Sequence, residues 1–396
     1  MFLYWRRILF AGFFVLAAIV YAMSLGQSRV VNEAGVLFDI YIVLLLVWAV
    51  FHYVRVGIER ETLRSVAGVF LTFVFYTIFY IVLEQDFILF EYARSIRFLF
   101  YLAVFIFVSG VSKQVNLGRG QSDFSDFIRF GVLLIILFFV LYVFKRFILG
   151  YARPWAFSEN NFEMALVIIL SSGLMAVIKS NFVVGSKWWL MFFRIGAGVL
   201  AVLSFSKSAL LAAIFMVLRS FKLNNIFIVY TVAVLFVISL VGIWIIFSLR
   251  VGDEGFASMD RFLFLMVFWD EWTSGPILSY IFGNGPAKEL SDNACGVLSF
   301  WVGSMFRGES YCNAAIFHSF FIRVMYEYGI FATIAFLVLW YRTLVSVYGR
   351  QLGFTFFVLI SINSLSVSGF SNSIVLWPVF FLLPIGHYLR SQNENV

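Results

Sequence analysis

Three pieces of sequence decide how this chain is read: R-V-G-D-E-G-F-A-S-M-D-R-F-L-F-L-M-V-F-W-D-E-W (250–272), F-G-N-G-P (282–286) and I-F-H-S-F-F-I-R-V-M-Y-E-Y-G-I-F (316–331). Together they bound the one long stretch that is not dominated by apolar side chains. On either side, runs of about twenty apolar residues alternate with short polar connections, the length of helix that crosses a hydrocarbon core. A chain built almost entirely of such runs, with one large polar loop late in the sequence, is expected to keep its chemistry in that loop.

Composition agrees. The chain is 63% hydrophobic and 12% charged, with a mean hydropathy of +0.98. A soluble domain is about half apolar and a quarter charged. Backbone groups in lipid must pair within their own segment, so the expected fold is all-α and polytopic, with about twelve transmembrane helices. The spans are read at 8–24, 36–54, 66–83, 97–112, 128–149, 162–178, 188–204, 207–219, 225–248, 317–340, 353–369 and 373–389. Residues 1–249 then carry helices one to nine, and 250–316 a periplasmic loop, or lid, with short helices. Residues 317–396 carry the last three helices and a cytoplasmic C-terminus. The first run is long and lacks a small-residue cleavage site, which reads as an uncleaved span. No internal repeat is evident.

The formal charge of +7 is a topology signal rather than a nucleic-acid signal. With the N-terminus inside, Arg6 and Arg7 and every later inside connection are basic, from Arg55, Arg60 and Arg64 through Lys113, Lys187, Lys222 and Arg342 to Arg390. The short outside connections are mixed or acidic, as in E-Q-D-F-I-L-F-E (84–91). This places the late loop outside, in a bacterium on the periplasmic face of the inner membrane. Cys295 and Cys312, the two cysteines present, both fall in that loop. Disulfide and free thiols are both open readings, and no cysteine or histidine spacing fits a metal.

His318 stands directly after the loop at the outer boundary of a span, whereas His52 and His387 lie on the cytoplasmic side. An imidazole there suits a general base, although a polar residue capping a helix has the same pattern. Three outer cations accompany it: Lys207 in S-F-S-K-S, Arg153 in Y-A-R-P-W, and Arg261 at the start of an amphipathic segment that includes Trp269. Each alone reads as a snorkelling anchor; together they suit a diphosphate, which Arg grips through two parallel hydrogen bonds. Gly283 and Gly285 make a turn that admits close approach of backbone to a ligand. Arg323 and Glu327 sit at i,i+4, as an ion pair or as a cavity wall one turn below His318. Arg194 lies mid-helix near the cytoplasmic end, where snorkelling inward is favoured. The loop carboxylates Asp253, Glu254, Asp260, Asp270 and Glu271 read as solvated surface.

The order S-K-S-A-L-L-A (206–212), D-R-F-L-F-L-M-V-F-W (260–269), I-F-G-N-G-P (281–286) and H-S-F-F-I-R-V-M-Y-E-Y-G-I-F (318–331) resembles the O-antigen polymerase and O-antigen ligase superfamily. The motifs cover about residues 200–335, and the hydropathy fits over the whole length. Two departures are visible: Lys207 stands where Arg is common, and Ser319 follows the histidine where Asn is usual. The resemblance implies a GT-C-like glycosyltransferase, inverting and metal-independent, that uses an undecaprenyl-diphosphate-linked glycan as donor and needs no cofactor. Carried onto this sequence, His318 would deprotonate the acceptor hydroxyl. Arg261, Lys207 and Arg153 would hold the diphosphate and stabilise its departing charge.

The expected function is therefore polymerisation of lipid-linked repeat units into O-antigen or a related surface polysaccharide. Its partners would be glycan donor and acceptor and membrane lipid, with a polysaccharide chain-length regulator as a further one and no nucleic acid. An O-antigen ligase acting on lipid A-core shares the donor and the base; phenylalanine richness tips the choice to polymerase by association only. A flippase or transporter of lipid-linked glycan would place ionisable residues in the middle of several spans. Apart from Arg194 and Arg323 with Glu327, the spans are read as nearly free of charge.

Overall fold

The computed structural model describes residues 10–20, 33–83, 89–116, 125–151, 154–157, 160–180, 186–220, 260–299, 312–317 and 319–394. The expected ninth span, 225–248, lies outside them. The described chain is helical throughout; its one β element is an isolated bridge between Glu289 and Asn313. Among the described residues six helices are long and apolar enough to cross a membrane, so this is an all-α, membrane-embedded protein.

The first helices are α1 Phe10–Val20, α2 Glu33–Val56, α3 Arg60–Leu83 and α4 Leu89–Asn116. They are followed by α5 Ser125–Val143, α6 Asn160–Ser180, α7 Ser186–Leu203 and α8 Lys207–Ser220. The loop supplies α9 Asp260–Ser274, α10 Ile277–Phe282 and α11 Asp292–Val297; after it come α12 Phe320–Ser366, α13 Ser373–Phe381 and α14 Leu383–Glu394. Nearly every residue of Asn161–Lys179 is buried, so α6 is the central mast, with α7, α8, α12 and α13 around it. α3 is at the margin, with most of its residues facing outward.

Helix α12 corrects the sequence reading of spans at 317–340 and 353–369. Gly329 (φ 76°) and Gly349 (φ 76°) leave helical geometry and divide it into α12a (320–328), α12b (330–348) and α12c (350–366). The Phe320 and Phe336 rings lie 5.6 Å apart, where a straight helix would part them by about 24 Å. A methyl on Gly353 would come within 2.7 Å of the Leu344 carbonyl carbon, so the chain reverses at Gly349. Only glycine adopts this φ without steric cost, and hydropathy carries no trace of it. α12a thus folds back on α12b, and its first amide, Phe320 N–H, donates to the Val367 carbonyl at the end of α12c, at 3.3 Å.

The bundle has two chemically distinct ends. Gly349, the Lys113–Glu59 pair at 2.7 Å and the His387 bond to the Ser109 carbonyl at 3.0 Å mark the end away from the loop. At the other end the loop forms its own small core, in which Phe264, Val267 and Phe268 of α9 pack on Leu290, Leu298, Phe317 and Tyr326. Cys295 and Cys312 are joined there by a disulfide (Cα–Cα 5.9 Å), which settles the choice left open by sequence. Its closed loop of 17 residues stabilises the folded loop by about 3 kcal/mol in the chain-entropy account. The spans also carry charged pairs that the sequence reading did not name: Arg97 of α4 pairs with Asp39 of α2, which also accepts from Tyr101, and Arg129 stands 3.6 Å from Asp126 at the start of α5.

Candidate functional site at the loop end

Two arrangements of polar side chains occupy the loop end. The first is a floor joining α6, α8 and α12c. Ser206 donates to the Asn161 side-chain oxygen, and the Asn161 carbonyl accepts from Asn363 Nδ2 at 3.0 Å. The next residue, Ser364, accepts through its carbonyl from the Ser319 hydroxyl at 3.4 Å. Lys207 follows Ser206 as the first residue of α8, and Ser319 follows His318. The floor therefore connects the two chain positions where sequence placed a cation and a base. His318 and Arg153 themselves lie outside the described residues, as does the side chain of Arg261, whose backbone opens α9.

The connection that carries Arg153 is fastened from below. Glu163 is fully buried, and its carboxylate accepts from the Ala156 amide at 2.7 Å, the Phe157 amide at 2.5 Å and the Tyr142 hydroxyl at 2.7 Å. Just before it, α5 ends in a wide π turn, Phe144–Ile148, and Gly150 (φ 72°) redirects the chain. That turn presents two cations that sequence reading passed over. Lys145 Nζ lies 4.5 Å from the Trp155 ring centre, and the Arg146 guanidinium 4.2 Å from Phe205. Phe205 holds φ at 52°, an unfavourable backbone for a bulky residue, two positions before Lys207. Lys145 and Arg146 thus join Lys207 at the end opposite the basic connections, against the bias that orients spans.

The second arrangement is built on Glu327, also fully buried. Arg323 Nε lies 3.3 Å from both of its oxygens, Ser95 Oγ donates at 2.6 Å, and the Ala287 amide at 3.1 Å. The expected i,i+4 pair is present and buried, and it faces α4 and the loop turn. The G-N-G-P turn lies on the backbone of α12a: Asn284 and Gly285 amides donate to the Tyr326 and Glu327 carbonyls at 2.9 and 3.0 Å. A methyl on Gly283 (φ 82°) would come within 2.2 Å of the Glu327 oxygen, and one on Gly329 within 2.2 Å of the Ile281 oxygen. The close approach expected of Gly283 and Gly285 is real, but its partner is the protein's own helix rather than a ligand.

One further expectation changes. Trp269, in the amphipathic segment, is 59% exposed and packs edge-on against Trp272. Glu271, read as solvated surface, accepts from the Ser291 hydroxyl and lies 3.4 Å from the Tyr326 hydroxyl, tying α9 to α11 and α12a. Asp270 is exposed as expected, whereas Asp253, Glu254 and the Asp260 side chain lie outside the described residues. Glu163, Glu271 and Glu327 thus act as fasteners at this end.

No family model and no curated protein matches this chain. Three carboxylates hold connections in place at the end where Lys145 and Arg146 lie on aromatic rings and Lys207 opens α8, a concentration of positive charge that suits an anion at a membrane surface.

Proposed function

We propose that this protein is a glycosyltransferase of the membrane that polymerises undecaprenyl-diphosphate-linked repeat units into O-antigen or a related surface polysaccharide, at the periplasmic face of a bacterial inner membrane. The observation that carries the reading is that Lys145 and Arg146 stand on the Trp155 and Phe205 rings at the end where Lys207 opens α8, next in sequence to the Ser206 that begins the floor continuing to Ser319, the neighbour of His318 in sequence. Cations at the end opposite the basic connections favour a diphosphate at the headgroup level. Arg261 stands three and seven positions before Phe264 and Phe268, residues whose rings belong to the loop core around Phe317.

In this mechanism His318 takes the proton of the acceptor hydroxyl as that oxygen attacks the anomeric carbon of the donor sugar. The bond from that carbon to the diphosphate breaks with inversion, and Arg261, Lys207 and Arg153 neutralise the charge the leaving diphosphate gains. The twelve-span topology and the lid role of the loop belong to the same proposal. The disulfide fits an oxidising compartment on the loop side.

The test is the glycan made by a deletion strain carrying the wild-type protein or His318→Ala. Single-repeat glycan on lipopolysaccharide without the protein, restored to polymer by wild type and not by an inserted His318→Ala, is the expected result. Normal polymer from that variant refutes the base role, and accumulation of unligated polymer in the deletion strain assigns the ligase reaction instead. Purified protein that elongates lipid-linked glycan with no ion gradient excludes transport.

A further inference from the structure

Helix α9 is apolar on two opposite faces. Phe264, Val267 and Phe268 face the loop core, while Leu265, Met266 and Trp269 stand exposed on the other side. A helix that is hydrophobic all round is one that is covered all round. Helix α10 continues the exposed face. The Trp272 and Tyr280 rings lie 5.3 Å apart and the Tyr280 hydroxyl donates to the Thr273 carbonyl at 3.0 Å, which holds α10 against the end of α9. Its outward residues, Ile277, Leu278 and Phe282, are exposed by 75%, 65% and 52%.

The height of this surface is fixed by α12. Gly283, next to Phe282, packs on the Glu327 carbonyl, and Gly329 packs on the Ile281 carbonyl. Helix α10 therefore rests on the bend between α12a and α12b. From that bend α12b runs about 28 Å to the second bend at Gly349, close to the roughly 30 Å of hydrocarbon in a bilayer. This sets α10 at the loop-side boundary of the hydrocarbon. Below it, α12b turns Phe331, Ile334 and Val338 outward as the lipid-facing residues of a span. Phe282 and Phe331 flank the same bend, which brings the exposed surface of α10 to the head of the lipid-facing surface of α12b. Contiguous exposed apolar surface marks contact with a protein or a membrane. Its place at the hydrocarbon boundary, adjoining a face already in lipid, selects the membrane.

We propose that α9 and α10 lie in the plane of the loop-side leaflet, with Leu265, Met266, Trp269, Ile277, Leu278 and Phe282 sunk among its headgroups and upper acyl chains. The partner is the bilayer that holds the spans. The loop is then fastened twice, to the protein by the Glu271 and Glu327 bonds and to lipid by this face. The assignment rests on the chain's being membrane-embedded and stands whether or not the glycan reading does.

The full-length protein carries one nitroxide at a time, at Leu265→Cys, Leu278→Cys or Phe331→Cys, and is reconstituted in nanodiscs of phosphatidylcholine and phosphatidylglycerol. The native cysteines are held in the disulfide and take no label. Accessibility to oxygen and to a nickel chelate, calibrated with headgroup-labelled and chain-labelled lipids, gives the depth of each position. The labels at 265 and 278 are expected about 5–10 Å into the headgroup and acyl boundary, with the label at 331 in lipid. High access to nickel with low access to oxygen at 265 and 278 puts the face in water and overturns the proposal. Low access to both reagents overturns it as well; dipolar broadening then identifies a second copy as the cover, and its absence another segment of the chain. The unsubstituted protein gives an independent reading. In nanodiscs holding a phosphatidylcholine with a diazirine high in its acyl chain, irradiation should label residues within 265–269 and 277–282 as well as α12b. Labelled α12b with α9 and α10 unlabelled refutes the proposal, whatever the fate of the variants.

Discussion

Ser95 and Glu327 are 232 residues apart in sequence, and the serine hydroxyl donates to the carboxylate at 2.6 Å. With the Ala287 amide and Arg323 on the same carboxylate, this one buried group joins an early span, the loop and the helix after the loop.

Removing that carboxylate leaves Arg323 buried and unpaired. Glu327→Ala is expected to lower stability by about 3–5 kcal/mol. Glu327→Gln, which still accepts from Ser95 and Ala287, is expected to fall between it and wild type. Adding Arg323→Gln to Glu327→Gln should recover part of the loss, as for two groups that share one buried site. Thermal unfolding in detergent measures the order, and additive losses for the pair would contradict the coupling.

Gly283→Ala forces a methyl into the Glu327 carbonyl and strains a backbone at φ 82°, a cost of about 2 kcal/mol or more. Gly296→Ala, in α11 with nothing within 4 Å, is expected to be neutral or stabilising by up to about 1 kcal/mol. Protease cleavage within 260–299 should rise for the first variant and not for the second.

Cys295→Ser with Cys312→Ser removes the disulfide of the loop and should destabilise the loop by about 3 kcal/mol. Reduction of the wild type followed by a membrane-impermeant maleimide, in intact spheroplasts, should label both thiols. Labelling only after the membrane is opened would reverse the orientation and remove the periplasmic reading.

Glu163→Ala strands the buried Ala156 and Phe157 amides and the Tyr142 hydroxyl, at about 1–3 kcal/mol for each unsatisfied group. The connection carrying Arg153 loses its fastening, so polymer formation should fall along with stability. Stability lost with full polymer yield would show that this connection takes no part in the reaction.

Lys207→Ala should reduce polymer yield by about tenfold or more while Lys207→Arg retains it, since charge rather than shape is the property kept at this position. Yield from cells matched for membrane-inserted protein is the readout, and an unaffected alanine variant removes Lys207 from the site.

Much of this architecture was legible because length and apolarity are properties of single segments. The ranges expected for α2 to α8 fall where helices stand, with ends displaced by up to eight residues, as at the start of α4. Around Gly329 the same logic failed: an apolar run continues through the glycine, and only backbone dihedrals reveal that it reverses there. Carboxylates were misjudged for a related reason. Glu271 looked solvated and Glu163 drew no notice, because their partners are amides and hydroxyls that hydropathy does not record. Asp39 and Arg97 were overlooked as a pair, since each is a lone charge within its own span. Of the expected site, Arg323, Glu327, Trp269, Gly283 and Gly285 have described surroundings, and Glu327 serves there as a fastener. Lys145 and Arg146 had a signal available, two cations at the outer end of a span where the charge bias disfavours them.

The reach of Glu327 across the chain also bears on biogenesis. While the ribosome is still synthesising the first three hundred residues, Ser95 waits in the bilayer for a carboxylate that has yet to emerge, and Tyr76 for the Tyr328 carbonyl. Truncated nascent chains that end before the loop should therefore be substrates for membrane quality-control proteases, with maturation turning on the last third of translation.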